Sequence, residues 1–235
     1  MSPDIRRAVD RAVTTTSWLD SKHSFSFGDY YDPHNTHHGL LLVNNDDVVA
    51  PAAGFDTHPH RDMEIVTWVL SGSLEHKDSA GNSGVIYPGL AQRMSAGSGI
   101  MHSEKNETSD KPVHFVQMWV VPDEPGVTPG YQQQVVDIAG GLVPIASGRA
   151  DDAAVAIHNR YATLHGARLS PGEAVELPHT PYLHLFVARG DVTLEGAGEL
   201  GEGDAVRFTA SGGQRVTAVA PAEILVWEMH AGLAA

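Results

Sequence analysis

Short apolar runs separated by glycine turns constrain the fold of this chain more than any other feature. Residues 65–70 (Ile-Val-Thr-Trp-Val-Leu) and 113–121 are rich in β-branched and aromatic side chains, and turns such as Ser71-Gly72 and Pro88-Gly89 lie beside such runs. Runs of this length, bounded by Gly, Pro and Asn, are typical of β-strands. Many short strands at this spacing predict an all-β sandwich or closed barrel, and we expect little helix.

The strand pattern occurs twice along the chain. Residues 122–130, with three prolines and two glycines in nine positions, separate two strand-rich halves. In each half a strand ends in a glycine turn, at residues 70–72 and again at 188–190, and another strand follows. We therefore expect two antiparallel β-barrel domains, residues 1–130 and residues 131–235.

Composition narrows the classes of function. The 235 residues carry 29 acidic and 15 basic side chains, for a net charge of −14, and neither half contains a basic cluster. Such a chain repels a phosphate backbone, so we expect no direct binding of nucleic acid. No apolar run reaches the roughly 18 residues that span a bilayer, and the N-terminus lacks an apolar leader, so we expect a cytoplasmic protein without membrane contact.

Two pairs of potential metal ligands lie in the first half. His58 and His60 form one pair, and His102 and Glu104 form the other about forty residues later. On a strand, residues i and i+2 face the same side, so each pair presents two side chains to one surface. We expect the pairs to meet from opposite walls of a barrel. Imidazole and carboxylate suit a divalent transition metal, and a chain without cysteine offers no thiolate.

These pairs and the sequence around them resemble the pirin family of bicupins, within the cupin superfamily. The resemblance runs from residues 17–33, through HPHRDMEIVTWVLSG (58–72) and MSAGSGIMHSE (94–104), to Gln117-Met118-Trp119. It covers most of the first half, and the sequence is similar to short bacterial pirin-like proteins. The second half matches only in pattern and length and lacks the ligand pairs. The resemblance implies an all-β bicupin with two jelly-roll (cupin) domains, of which the first binds metal.

The resemblance also implies the ligands. In pirins the two histidines of HPH and the histidine and glutamate of HSE hold the metal, which here are His58, His60, His102 and Glu104. The broader cupin motif takes a glutamate shortly after the first histidine pair, and Glu64 has that position. We expect Glu104 as the ligand and keep Glu64 as the alternative. We expect one divalent ion, iron first, with nickel, manganese, copper and zinc left open because such sites bind all of them.

The function implied by the resemblance is that of a quercetin 2,3-dioxygenase, which cleaves a flavonol with O2 and releases carbon monoxide. Four protein ligands leave about two positions of an octahedral ion open. Glu104, loosening from the metal, would take the flavonol proton as general base. The alternative is a non-enzymatic, metal- and redox-responsive regulator that acts through protein partners. A structural bicupin with inert zinc is a third interpretation. We expect a monomer, since two cupin domains in one chain can imitate the pairing of single-domain cupins.

Aromatic and amphipathic residues near the motifs are candidates for a substrate pocket. The candidates are Phe25, Phe27, Phe115, Gln117 and Trp119. For the aromatic residues the competing interpretation is core packing. For Gln117 it is a hydrogen bond to the backbone. His76 and Asp78 share one face of a strand, and we expect them at the barrel rim rather than among the ligands.

Overall fold

The computed structural model describes residues 3–233. These residues form twenty-two β-strands and one 3-10 turn, Ala8–Asp10, and contain no α-helix. Nor does this part of the chain hold a helix long and apolar enough to cross a membrane. The strands up to the first half's end are β1 (Asp4–Arg6), β2 (Ala12–Thr15), β3 (Leu19–His23), β4 (Leu41–Val49), β5 (Gly54–His60), β6 (Glu64–Ser71), β7 (Leu74–Asp78), β8 (Ser83–Ile86), β9 (Leu90–Ser95), β10 (Ile100–Lys105), β11 (Val113–Val120) and β12 (Gly130–Val135). The remaining strands are β13 (Val143–Ser147), β14 (Val155–Ala156), β15 (Ala162–Leu169), β16 (Ala174–Glu176), β17 (Thr180–Arg189), β18 (Val192–Leu194), β19 (Gly198–Leu200), β20 (Ala205–Ser211), β21 (Arg215–Ala218) and β22 (Ala222–Met229).

Each half contains a seven-stranded and a four-stranded sheet. In the first half the orders are β12-β9-β6-β11-β4-β3-β2 and β5-β10-β7-β8. In the second half they are β1-β20-β17-β22-β15-β13-β14 and β16-β21-β18-β19. The large and small sheets of one half share apolar clusters, so each pair encloses a barrel interior. The predicted all-β fold with two antiparallel barrel domains is confirmed.

Two strands connect the halves in a way that the sequence pattern does not reveal. β1 pairs with β20 at the edge of the second large sheet, with Asp4 opposite Arg207. β12 pairs with β9 and so extends the first large sheet beyond residue 130. The chain therefore contributes its first strand to the second barrel. The division at residues 130 and 131 stays a prediction.

The largest apolar cluster lies between the two large sheets. β6 contributes Val66, Trp68 and Leu70, and β22 contributes Leu225 and Trp227, all at most 4% exposed. Fully burying one such side chain contributes about 1.5–3 kcal/mol. Because the two large sheets cover each other, β6 is buried on both faces, which explains why it is apolar at nearly every position instead of alternating.

The two barrel interiors differ in chemistry. The second is filled by aliphatic and aromatic side chains of β17, β20 and β22. In the first, the interior face of β11 passes from Phe115 in one apolar cluster, through Gln117, to Trp119 beside another. The same barrel holds further buried polar side chains, among them His76, His102 and Glu104, none more than 2% exposed. Buried polar groups are costly unless they are bonded, so the first barrel is where a site is expected.

Candidate metal centre

Adjacent strands of the small sheet carry the three predicted histidine ligands. β10 lies between β5 and β7 and is antiparallel to both, with His102 directly opposite His58 and Ile100 opposite His60. The prediction that the pairs approach from opposite walls is therefore wrong. The two-residue period fixes the face of a strand but not its neighbour. Pro59, between the two histidines, is tolerated because β5 is an edge strand.

The three imidazole rings face one another at short distances. Ring centroids are 4.5 Å apart for His58 and His102, 4.8 Å for His58 and His60, and 4.9 Å for His60 and His102. One ligand nitrogen from each ring lies within 4.8 Å of the other two. The Nε2 atoms of His60 and His102 are buried and have no hydrogen-bond partner among residues 3–233. Unpartnered buried nitrogens are costly, and a divalent transition ion would satisfy both, so the donor set fits such an ion.

The histidines are poised to donate lone pairs. Burial, reinforced by the neighbouring histidines, lowers the pKa of His60 to about 4 and that of His102 to about 2. Both rings are therefore neutral near pH 7. His58 Nδ1 lies 2.7 Å from the backbone oxygen of Asp56 and must donate to it, which leaves its Nε2 free for a metal.

Glu104 follows His102 after a β-bulge and is also buried in the barrel. A carboxylate oxygen lies within 4.8 Å of ligand nitrogens of His102 and His76. Gln117 Nε2 donates to both oxygens, at 3.0 and 2.8 Å, and Trp119 Nε1 donates to Gln117 Oε1 at 3.1 Å. Burial raises the pKa of Glu104 to about 7 although the hydrogen bond from Gln117 opposes this. Gln117 therefore bonds the site carboxylate rather than the backbone.

Glu64, the alternative ligand, is engaged elsewhere. Its Oε2 accepts hydrogen bonds from Ser95 Oγ at 2.9 Å and from the backbone nitrogen of His158 at 3.1 Å. It belongs to neither group of potential metal ligands in residues 3–233. The structure thus places Glu104, and not Glu64, with His102 and His76, while His58, His60 and His102 form the second group without a carboxylate.

Two of the predicted pocket residues form an aromatic wall beside the histidines. Trp119 packs edge-on against His60, with ring centroids 4.8 Å apart, and Phe27 packs edge-on against Trp119 at 5.5 Å. A cavity of about 170 Å³ is lined by Phe27, Phe55 and Gln117 among others. A second, more open groove of about 440 Å³ is lined by His60, Arg61 and Met101 among others.

Two other predicted pocket residues lie in the core. Phe25 is 1% exposed, belongs to the cluster between the large sheets, and has the guanidinium of Arg207 4.3 Å above its ring. Phe115 is completely buried in an apolar cluster of the first barrel. For these two, the competing interpretation of core packing describes their surroundings.

His76 and Asp78 lie at the end of β7, and their place at the barrel rim stays a prediction, but His76 belongs with His102 and Glu104 to a group of potential metal ligands, which was not expected. Both side chains are fully buried, and His76 Nδ1 lies 3.4 Å from His102 Nδ1. Tyr131, which no sequence signal pointed to, stacks on His76 with ring centroids 4.7 Å apart. Strand parity placed His76 and Asp78 on one face, but the pairing of β7 with β10 that buries them is a long-range contact which local periodicity does not encode.

Together the two barrels define a bicupin, and within the described residues both groups of potential metal ligands lie in the first barrel and share His102. Two family models match the chain, Pirin over residues 6–120 and the quercetinase C-terminal cupin domain over residues 144–229. "Putative quercetin 2,3-dioxygenase Rv0181c" of Mycobacterium tuberculosis is 68% identical over 234 residues, which cover 98% of this chain and 96% of the relative. This chain belongs to the pirin family.

Two Escherichia coli proteins extend the comparison. The quercetin 2,3-dioxygenase of strain K12 is 40% identical over 193 residues, 82% of this chain and 84% of the relative. The crystal structure of the bacterial pirin YhhW in complex with nickel(II) superposes with a TM-score of 0.90 at 34% identity, covering 97% of this chain and 99% of the other. Both similarities span the two barrels.

Proposed function

We propose that this protein is a metal-dependent dioxygenase that opens the ring of a quercetin-type flavonol with O2 and releases carbon monoxide. The observation that carries the proposal is the cluster of His58, His60 and His102, in which buried Nε2 atoms lack partners beside a buried carboxylate. The names of the relatives with 68% and 40% identity support the reaction. The nickel(II) complex of the E. coli pirin supports a divalent ion.

In this proposal His58, His60, His102 and Glu104 hold the ion. When bound, a divalent transition ion supplies Lewis acidity and open positions for an anionic oxygen ligand. Iron stays the ion that we propose, and nickel is the alternative that the E. coli pirin supports. Imidazole nitrogens coordinate through lone pairs and bring no negative charge, so Glu104 is the one group of the four that supplies it.

Glu104 is also the proposed general base. Gln117 Nε2 contacts both of its oxygens and so fixes the orientation of the carboxylate next to His102. In that position Glu104 would accept the hydroxyl proton of the flavonol, and Gln117 would keep the carboxyl group oriented while it holds the proton.

The surroundings of the histidines suit a flat aromatic substrate. Trp119 packs edge-on against His60, and Phe27 packs edge-on against Trp119. The groove past His60 is lined by Arg61, Met101 and their neighbours and opens to solvent. An apolar wall with a few polar groups is the usual composition of a small-molecule pocket. We propose Phe27, Gln117 and Trp119 as the residues closest to the substrate.

Oxygen consumption tests the proposal. Quercetin is added to chelated protein and then to protein reloaded separately with iron, nickel, manganese, copper or zinc, with metal content verified in each sample. We expect no uptake by the chelated protein and metal-dependent uptake with carbon monoxide release after reloading. Absence of uptake with every metal at full loading would contradict a dioxygenase and favour the regulator that acts through protein partners.

A further inference from the structure

The ring of His102 has a second set of neighbours on the side of β7. His102 lies opposite His58 on β5 and opposite Asp78 on β7. His76, two residues before Asp78 on the same strand, lies between that carboxylate and His102, and the side chains of His76 and Asp78 are both completely buried. Buried polar side chains that satisfy one another by hydrogen bonds hold each other in one orientation.

The carboxylate of Asp78 is an acceptor of several hydrogen bonds. The backbone nitrogens of Ala80 and Asn82 donate to Oδ1, both at 2.9 Å, and Asn82 Nδ2 donates to Oδ2 at 3.0 Å. Such a set of donors keeps the carboxylate ionised. His76 Nε2 lies 3.2 Å from Oδ2 and must therefore be the donor of that contact. In a neutral ring this leaves Nδ1 of His76 as an acceptor.

The proton between the two imidazoles then belongs to His102. The Nδ1 atoms of His76 and His102 are 3.4 Å apart, at the long end of the hydrogen-bond range, and a hydrogen bond between them needs a proton on one of the two. Since His76 Nδ1 accepts, His102 Nδ1 donates. The lone pair of His102 is consequently on Nε2, the atom that is buried without a partner in the histidine cluster.

The orientation of the middle ring is fixed by an aromatic contact. Tyr131 stacks on His76 with an interplanar angle of 26°. Tyr131 Oη donates to Gln133 Oε1 at 2.9 Å, which holds the phenol in place. The stacking holds the plane of the His76 ring, and within that plane the contacts of Nε2 with Asp78 Oδ2 and of Nδ1 with His102 Nδ1 select the orientation of the nitrogens.

We propose that Asp78 and His76 are positioning residues that fix the tautomer of His102, so that its Nε2 is always available to a metal. The inference rests on the proposed metal site. In this inference His102 is oriented through the imidazole of His76 by the carboxylate of Asp78, whereas His58 is oriented by the backbone oxygen of Asp56. Partners of this kind behind a ligating histidine commonly change metal affinity by about 10–100-fold when removed.

The sharpest test is Asp78→Asn. The backbone donors of Ala80 and Asn82 select the amide oxygen at the Oδ1 position, where Asn82 Nδ2 also reaches it at 3.2 Å, so the NH2 group faces His76 Nε2. His76 must then accept there and carry its proton on Nδ1, which forces the His102 proton onto Nε2. We expect nickel(II) affinity to fall by about 10–100-fold, measured by competition with a chelator.

Glu75→Gln is the matched control. Glu75 is on the same strand, and its carboxylate pairs with the exposed Lys77 at 2.7 Å, away from the imidazoles. It makes the same change of charge and shape without touching the chain of hydrogen bonds. We expect wild-type nickel(II) affinity for this variant.

Nitrogen-15 NMR of labelled histidine in the metal-free protein reads the tautomer directly. We expect the His102 proton on Nδ1 in the wild type and on Nε2 in Asp78→Asn. A wild-type proton on Nε2 would overturn the inference, and so would unchanged nickel(II) affinity in a folded Asp78→Asn protein. Because this measurement needs no metal, it also separates the two proposals: a wild type that binds no nickel(II) defeats the proposed function alone.

If Asp78→Asn does not fold, His76→Phe tests the same proposal. Phenylalanine preserves the stacking on Tyr131 but removes the acceptor for His102 Nδ1. We expect a mixture of His102 tautomers and a smaller loss of nickel(II) affinity than with Asp78→Asn. A single Nδ1–H tautomer with wild-type affinity in this variant would show that His102 needs neither residue.

Discussion

At the scale of single residues, the site is defined by buried ring nitrogens without hydrogen bonds. His60 and His102 each bury an Nε2 that no donor or acceptor in the described part of the chain satisfies, although the two rings pack against each other. Such atoms cost free energy in the metal-free protein. Binding an ion recovers that cost, so the same feature that destabilises the empty fold favours metal binding.

Replacing His58 by alanine is expected to remove most of the bound metal while leaving the fold intact. His58 is only half-buried, and the apolar clusters that hold the barrel do not include it. Metal content by atomic emission and the midpoint of urea unfolding, both measured on chelated and reloaded protein, test this. His34→Ala, in an exposed loop, should retain the metal. Full metal content in His58→Ala would remove His58 from the ligand set.

Glu104→Gln is expected to separate metal binding from turnover. The amide is the same size as the carboxyl group and keeps a hydrogen bond with Gln117, so the fold persists, but it brings no negative charge and accepts no proton. We expect weaker metal binding and loss of oxygen uptake at equal metal loading. Glu107→Gln, which changes an exposed carboxylate on the same part of the chain, should behave like the wild type. Normal turnover by Glu104→Gln would end the assignment of Glu104 as the base.

How much of the site the sequence predicts depends on the range of the contact. The facing of His58 with His60 follows from the two-residue period of a strand and needs no structure. The choice between Glu64 and Glu104 does not follow, because both lie near a histidine pair in sequence. It depends on Glu64 meeting the backbone of His158 from the other half of the chain, 94 residues away.

At the scale of strands, a carboxylate on β22 of the second large sheet holds side chains from neighbouring segments by charged hydrogen bonds. Glu228 on β22 accepts hydrogen bonds from His165 Nε2 on β15 at 3.0 Å, from Arg149 Nη1 at 2.9 Å and from His230 Nε2 at 2.6 Å. The hydrogen bond from His165 is the main cause that lowers the pKa of Glu228 to about 2, against the effect of partial burial. The carboxylate therefore binds these partners as an anion throughout the neutral range.

This lowered pKa predicts a pH-dependent contribution to stability. A depressed pKa stabilises the fold above the ordinary value of 4.5, and the contribution is lost as the pH falls from about 4.5 towards 2. We expect Glu228→Gln to have a lower melting temperature than the wild type at pH 6, with the difference shrinking by pH 3. Glu176→Gln, on an exposed strand position, is the control. A difference that is constant from pH 6 to pH 3 would contradict the role of Glu228.

Strands buried on both faces limit what periodicity predicts. β6 and β11 are recognisable as strands from their β-branched and aromatic residues, but they do not alternate, so sequence alone does not distinguish the face towards the barrel from the face towards the other half. Phe115 and Val116 are both completely buried, one inside the barrel and one between the large sheets. A pocket predicted from aromatic residues therefore includes core residues such as Phe115.

At the scale of the whole molecule, the two barrels share one core and several polar contacts. Trp68 Nε1 of the first half donates to Glu223 Oε1 of the second at 2.6 Å, and Arg168 donates to the other oxygen of Glu223 at 3.0 Å. Arg189 donates to the backbone oxygen of Leu70 across the same interface. Since the other face of each large sheet is covered only by the other half, we expect the halves to unfold together in one transition. We also expect the chain, of 25.1 kDa, to be a monomer.

Trp68→Phe tests this shared core. Phenylalanine fills most of the space but leaves Glu223, which is 7% exposed, without one donor, at a cost of about 1–3 kcal/mol. We expect a lower urea midpoint, with tryptophan fluorescence and circular dichroism still following a single transition. Trp18→Phe, at a half-buried position away from the interface, should change the midpoint less. Two separate transitions in either protein would show that the barrels are independent.

The pairing of β1 with β20 has a consequence for how the protein is made. Asp4 is joined to a residue some two hundred positions later, Arg207, so the first strand to leave the ribosome has no partner until nearly all of the chain has followed. At about 5–20 residues per second, that delay is on the order of 10–40 seconds. Until the second barrel has been made, the first barrel can assemble only with the apolar face of its large sheet exposed to solvent.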